Sequence, residues 1–189
     1  MILCYIYEGM ADFEITLLLH RLKNTGKKSC VYISENTLPI KAQSGLTYIP
    51  DKTIDSINNI SELEALIIPG GPINNKQNSI CDLIQETIKH NKLVAAICFA
   101  PQFLGRAGVL AEYQFTTSCS AEKISQLGVD DPFNWDNYLH QRIVVDRNLI
   151  TAQGFAFVDF AIEVCKYLNV FESDLQLEQQ LLRVKTNVM

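Results

Sequence analysis

The chain has 189 residues and a formal charge of −5, with 48% hydrophobic and 20% charged residues, a balance that excludes a disordered tail and points to one core and one domain over residues 1–189. No dense Lys/Arg block or aromatic-basic interleaving is present to neutralise phosphates, which excludes nucleic acid and favours a small-molecule partner. No apolar run approaches the roughly 18 residues needed to span a bilayer, and the opening MILCYIYEGMADFE lacks a signal-peptide pattern, so no membrane contact and a cytoplasmic, unprocessed protein are expected.

In chain order, Ile2 to Ile6 is the first short apolar run, rich enough in Ile and Leu to be a parallel strand covered on both faces. Ile15, Leu18, Leu19 and Leu22 then follow the i, i+3, i+4, i+7 rule of an amphipathic helix, with Gly26 as its stop. A second strand, Ala65 to Ile68, precedes a helix from Ser79 to His90 capped by Asn78 or Ser79. A third strand, Leu93 to Ile97, runs into a helix from Phe99 to Ala107, followed by a weaker strand near Phe115 to Ser118 and a loop holding Asp130, Asp131, Pro132 and Trp135. Gln141 to Val145 and Leu149 to Thr151 flank the turn Asp146-Arg147-Asn148 as a hairpin. A helix from Ala156 to Leu168 and a last amphipathic helix, opened by the capping box Ser173-Asp174-Leu175-Gln176, complete the pattern. Strands alternating with helices make an α/β sandwich with a mostly parallel central sheet.

The six cysteines, Cys4, Cys30, Cys81, Cys98, Cys119 and Cys165, include no C-x-x-C pair and are expected as reduced thiols. Neither cysteines nor histidines show metal-ligand spacing, so no metal and no cofactor is expected. In such a sheet, ligands bind beyond the carboxyl ends of strands, which directs attention to the turns after Ile6, Ile68 and Ile97.

The third of these turns reads Ala96-Ile97-Cys98-Phe99-Ala100, with small residues two before and two after a thiol. This is the spacing of a nucleophile elbow, and the following helix end favours thiolate over thiol. The alternative is a buried cysteine in an Ala-rich turn. After the second strand, Pro69-Gly70-Gly71-Pro72 is either a simple glycine turn or a pair of backbone N–H groups at Gly70 and Gly71 able to form an oxyanion hole. Glu14 lies within the apolar stripe of the first helix. It is either a solvated first-turn carboxylate or a buried acid beside Cys98, with a raised pKa that leaves it protonated.

The runs Asp12-Phe13-Glu14 with His20-Arg21-Leu22, Ala65 to Gly71, Val94 to Cys98 with Pro101, Gln102 and Leu104, and Thr151 with Gly154 resemble the ThiJ/PfpI family of the DJ-one superfamily across nearly the whole chain. The resemblance implies a flavodoxin-like three-layer sandwich and a cytosolic homodimer. It also implies that Cys98 is the reactive cysteine, Glu14 its carboxylate neighbour, and the N–H groups of Gly71 and Phe99 the anion-binding pair. Members similar to the intracellular protease carry His where this chain has Phe99, and their supporting acid falls at about Asn75, so the protease triad is absent. Other relatives carry His after the Thr-Thr pair, where Thr116-Thr117 is followed here by Ser118-Cys119. Ser118 and Cys119 are therefore accessory candidates, Cys119 as a thiol that resolves an oxidised Cys98.

His20 and His90 read as helix-end cations, and His140 beside the hairpin could swing toward the site. Trp135, with Pro132 and Phe133, reads as a core or surface anchor, the alternative being a lid or an oligomer contact. Two functions remain open at this point. One is an enzyme adding Cys98 to a small electrophile, in the manner of a glyoxalase, deglycase or isonitrile hydratase. The other is a non-enzymatic stress-response protein whose Cys98 meets an oxidant and becomes a sulfinate held by Glu14.

Overall fold

The computed structural model describes residues 1–73, 75, 79–171, 173, 176 and 179. Its elements are β1 (Ile2–Tyr5), α1 (Phe13–Asn24), β2 (Cys30–Ser34), β3 (Ile40–Lys41), β4 (Thr47–Tyr48), β5 (Lys52–Thr53), β6 (Ala65–Ile68), α2 (Ile80–Lys89), β7 (Leu93–Ile97), α3 (Pro101–Arg106), α4 (Ala121–Leu127), β8 (Ile143–Asp146), β9 (Leu149–Ala152) and α5 (Phe157–Tyr167). The seven-stranded sheet has the order β5-β2-β1-β6-β7-β9-β8. All its pairings are parallel except that of β8 with β9. Helices α1 and α5 pack together in one layer and α2 and α3 in another, giving a three-layer α/β sandwich.

The expected central strands form because each is apolar throughout. Every residue of β1, β6 and β7 is buried, as strands sandwiched between two helix layers must be. The expected hairpin forms as β8 and β9, with Asp146 opposite Leu149 and Arg147 at the tip in a left-handed conformation, φ +53°. Strand order reverses beside β1, which has β2 on one side and β6 on the other. A crevice therefore opens at their carboxyl ends, between the turns that follow them.

Several expectations need correction. No strand spans Phe115 to Ser118; among the described residues a single parallel bridge joins Phe115 to Tyr138. The polar groups of this stretch are taken one at a time by separate segments: Thr116 N–H by Thr151 Oγ1, Thr116 Oγ1 by Gln141 O, and Thr117 Oγ1 by Cys98 O. The helix placed over Phe99 to Ala107 starts two residues later, with Pro101 in its first turn. Gly26 does not supply a left-handed stop. Lys27 takes that conformation at φ +52°, and a Cβ on Gly26 would be tight, 3.0 Å from the Val170 side chain. Ser79 precedes α2 without capping it; its hydroxyl donates instead to Glu35 Oε2 at 2.6 Å. Asn78 lies outside the described residues, as does most of the expected last helix, where Ser173 Oγ accepts from Gln176 N–H at 3.2 Å.

The half-buried strand β2, the short pair β3–β4 and helix α4 carry no expectation from the sequence. The signal for β2 is the run Val31-Tyr32-Ile33, and that for α4 is Ser120, whose hydroxyl accepts from Lys123 N–H, together with Gly128 at φ +64° past its end. Trp135 acts as an anchor: it packs against Phe133 and Tyr138 at 5.0 and 5.4 Å, and its Nε1 donates to Asp131 Oδ2.

Gly105 marks where this aromatic segment docks on α3. A Cβ at that position would lie 1.8 Å from Pro132 O, and backbone has little room to yield. Gly105→Ala should cost about 2–3 kcal/mol through forced displacement of the Pro132 segment, read as a lower urea midpoint at unchanged slope.

Candidate active site

The turns after β1, β6 and β7 deliver Glu14, Gly70-Gly71 and Cys98 to one place. Cys98 sits at the tip between β7 and α3 with φ +62°, a conformation that costs a non-glycine residue about 1–3 kcal/mol. Three hydrogen bonds hold it there. Its N–H donates to Ala152 O at 2.8 Å, and its carbonyl accepts from Ser118 N–H at 3.0 Å and Thr117 Oγ1 at 2.7 Å. The flanking Ala96 and Ala100 are fully buried, as the tight bend demands.

Two glycines from neighbouring turns close around the sulfur. A Cβ on Gly70 would come within 2.6 Å of both Cys98 Cβ and Glu14 Oε2, and one on Gly154 within 2.9 Å of Glu14 Oε1 and 3.0 Å of Cys98 Sγ. Any side chain at either position would fill the space the thiol and carboxyl occupy. Gly154 N–H in turn donates to Ser118 Oγ at 2.8 Å. With a lone pair so engaged, the Ser118 hydroxyl is free to donate to Cys98 Sγ, with which it is hydrogen-bonded.

Of the two readings of Glu14, the buried one holds: it is 1% exposed, hydrogen-bonded to Cys98, and accepts Gly70 N–H at Oε2 over 2.7 Å. Burial lifts its pKa to about 7 against the opposing hydrogen bonds from Cys98 and Gly70. Burial, followed by the charge of Glu14, pushes the Cys98 thiol up to about 12, although Ser118 and Phe99 N–H pull the other way. The expectation that the helix end favours a resting thiolate is thus corrected. Desolvation and the adjacent carboxylate outweigh a helix that begins only at Pro101.

Gly70 is corrected too: its N–H is committed to Glu14, so it orients the acid rather than facing a bound anion. Gly71 and Phe99 line a cavity of about 750 Å³ together with Cys98, Glu14 and Ser118. Gly71 must remain glycine for a separate reason, since a Cβ would meet the Tyr7 hydroxyl at 2.6 Å. Cys119 does not line this cavity. Ser118, at a bend, faces Cys98, while Cys119 is buried with its sulfur toward Ser120 O at 3.6 Å. None of the histidines lines it either. His20 is hydrogen-bonded to Asn24, His90 to Glu86, and His140 to Tyr138. Among the described residues no group of three or more His, Cys, Asp or Glu is arranged to hold a metal ion. No helix among them is long and apolar enough to cross a membrane.

Sequence reasoning missed Gln43, which reaches the cavity from the β3–β4 turn, and the structural need for Gly154 beside the sulfur. The short paired strands lack any apolar period that would have placed Gln43 near Cys98.

The model of the DJ-1/PfpI family matches residues 1–167. The glutathione-independent glyoxalase DJR-1.2 of Caenorhabditis elegans is 28% identical over 148 residues, covering 76% of this chain and 75% of the relative. The deglycase PH1704 of Pyrococcus horikoshii is 31% identical over 150 residues, covering 75% and 82%. Among solved structures, the thiJ/pfpI family protein from Bacillus anthracis superposes with a TM-score of 0.84 at 26% identity, covering 98% of this chain and 90% of that one.

The raised pKa of Glu14 has a consequence for stability. A carboxyl whose folded pKa lies above its unfolded value contributes stability that is complete below about pH 4.5 and lost as pH rises through about 7. Glu14→Gln should therefore raise Tm more at pH 8 than at pH 5, with the gain differing by about 5 °C between the two; differential scanning calorimetry at both pH values measures it.

Proposed function

The chain belongs to the DJ-1/PfpI family, and from that premise we propose that it uses Cys98 to attack small electrophilic carbonyls, as a glyoxalase- or deglycase-type enzyme. The observation that carries this reading is the hydrogen-bonded Cys98–Glu14 pair facing a cavity large enough for a small molecule. Relatives named glyoxalase and deglycase at 28 and 31% identity support the substrate class.

The chemistry follows from the two protonation equilibria. With the thiol at about 12 and Glu14 at about 7, the resting pair is a neutral thiol beside an acid poised near operating pH. On attack, the thiol proton passes to the Glu14 carboxylate while the sulfur forms a bond to the carbonyl carbon. The carbonyl π pair moves onto oxygen, where Gly71 N–H, joined by Phe99 N–H as the sulfur it contacts becomes bonded to carbon, stabilises it until Glu14 returns the proton. Ser118 donates to the sulfur as it becomes anionic, the task a histidine performs less directly by removing the proton. A base of this modest strength suits addition to a reactive carbonyl or isonitrile and not amide hydrolysis.

A second reading rests on the same hydrogen bond: Glu14 in its protonated form would hold a sulfinate formed when an oxidant attacks Cys98, without turnover. We further infer a cytoplasmic protein that forms a homodimer, the dimer supported by the exposed rings of Phe155, 89% accessible, and Phe13, 46% accessible, on the lining of the cavity. Light scattering in solution measures the assembly directly.

Wild type should convert methylglyoxal to a hydroxy acid, and Cys98→Ala should abolish the conversion. Glu14→Gln should lower kcat/KM by about a hundredfold, the usual contribution of a positioned proton carrier, and remove a rise in rate through about pH 7. Ser118→Ala, which keeps the Ser118 N–H bond to Cys98 O but removes the acceptor of Gly154 N–H, should lose about tenfold. Oxidation of Cys98 seen by intact mass, without turnover of methylglyoxal or of isonitriles, would replace the enzyme with the second reading.

A further inference from the structure

The polar side chains that line the cavity are unequally employed. Glu14 is bound to Gly70 and Cys98, and Ser118 to Gly154 and Cys98. Gln43 is exposed on the wall of the same cavity, and its side-chain amide has no hydrogen-bond partner among the described residues. The other walls are supplied largely by Ala11, Phe13, Pro72 and Phe155. The exposed amide is hydrated, and a ligand that displaces this water among apolar walls has to replace its hydrogen bonds.

The backbone carrying that amide is held unusually well for an exposed turn. Gln43 N–H donates to Met10 O at 2.9 Å, and Gly9 N–H to Lys41 O at 2.9 Å, so the β3–β4 hairpin is laced to the loop after β1. Asp12, 3% exposed, supplies the clamp. Its Oδ2 accepts Ser44 Oγ at 2.5 Å and Tyr48 OH at 2.8 Å, one from the turn and one from β4. Asp12 stands two residues before Glu14, so a single short segment positions both the acid beside the sulfur and the hairpin above it. The hairpin pairs as a separate two-stranded unit outside the main sheet.

We propose that Gln43 is the specificity-determining residue of the site and Asp12 its positioning residue. The Gln43 amide donates a hydrogen bond to a second oxygen, carbonyl or hydroxyl, on the carbon next to the one Cys98 attacks. This rests on the reading of Cys98 as a nucleophile toward small electrophiles and narrows its substrates to 2-oxo and 2-hydroxy aldehydes over simple aldehydes.

The test uses two alkylating probes that differ in that oxygen. Iodoacetamide carries a carbonyl beside the attacked carbon and iodoethane does not; in both, the sulfur–carbon bond forms as iodide leaves with its electron pair. Rates at Cys98 are followed by peptide mass mapping, and the ratio of the two rates is compared among variants. Gln43→Ala and Gln43→Glu, which lacks the donor, should each lower the ratio about tenfold, the effect of one hydrogen bond to a neutral partner. Asp12→Ala should lower it similarly and Asp12→Asn, which keeps an acceptor, should restore most of it. Should Asp12→Ala fail to fold, Tyr48→Phe, which removes a single bond to the clamp, should lower the ratio about threefold.

In parallel, kinetics with methylglyoxal and propionaldehyde should show the Gln43→Ala effect in KM for the former, with kcat changed less. A ratio in Gln43→Ala within the error of wild type overturns the assignment, whether or not wild type turns over methylglyoxal. A lowered ratio with no turnover by wild type overturns the enzymatic reading and leaves the role of Gln43 in recognising the second oxygen standing.

Discussion

A carboxyl and a thiol share a hydrogen bond in a place where neither is well solvated, and the surrounding architecture is arranged to permit it. Glu14 arrives from the start of α1, Cys98 from the tip after β7, and both are pressed between Gly70 and Gly154. Each glycine is needed because the pair occupies the volume its Cβ would take. The left-handed backbone of Cys98 is sustained by bonds to Ala152, Thr117 and Ser118, so the strain at the elbow is borne by β9 and the segment after α3. The site is therefore a property of the sheet edge as a whole.

Desolvation decides how the pair behaves. A helix end lowers a thiol pKa only if its free N–H groups reach the sulfur while the sulfur keeps some solvent, and here one N–H, from Phe99, opposes burial and a neighbouring negative charge. The outcome is a neutral thiol with a built-in proton acceptor. In the reaction proposed above, a ligand removes the remaining water and offers a carbonyl oxygen to the backbone donors, which would tie nucleophilicity to occupancy of the cavity. Ser118 fits this logic, since its donor is directed by Gly154 toward a charge that develops only during attack.

The central strands, the helix periods, the β8–β9 hairpin and the elbow were legible because each depends on neighbours close in the chain. Five buried residues from Leu93 to Ile97 can form little other than a covered strand, and Ala96 and Ala100 about Cys98 speak of a tight bend. The run Phe115 to Ser118 misled because its composition suits a strand while its partners, Thr151 and Gln141, lie far along the chain and take its hydrogen bonds one at a time. The pair β3–β4 was invisible because two-residue strands have no period to read. Ser118 and Cys119 were equal candidates on paper. The bend at Ser118 places its side chain at the sulfur, while Cys119 turns into the core.

Local pattern alone pointed to the layer arrangement, to Cys98 as the candidate thiol and to the turns worth inspecting, since apolar period and small-residue spacing act over a few residues. Tertiary structure decided whether Glu14 was solvated or buried, which N–H groups remained free, and that a residue as unmarked as Gln43 would share a cavity with Cys98. Those outcomes depend on distances between segments brought together from separate parts of the chain, and on the loss of water that follows when they meet. Neither is encoded in any single stretch of residues.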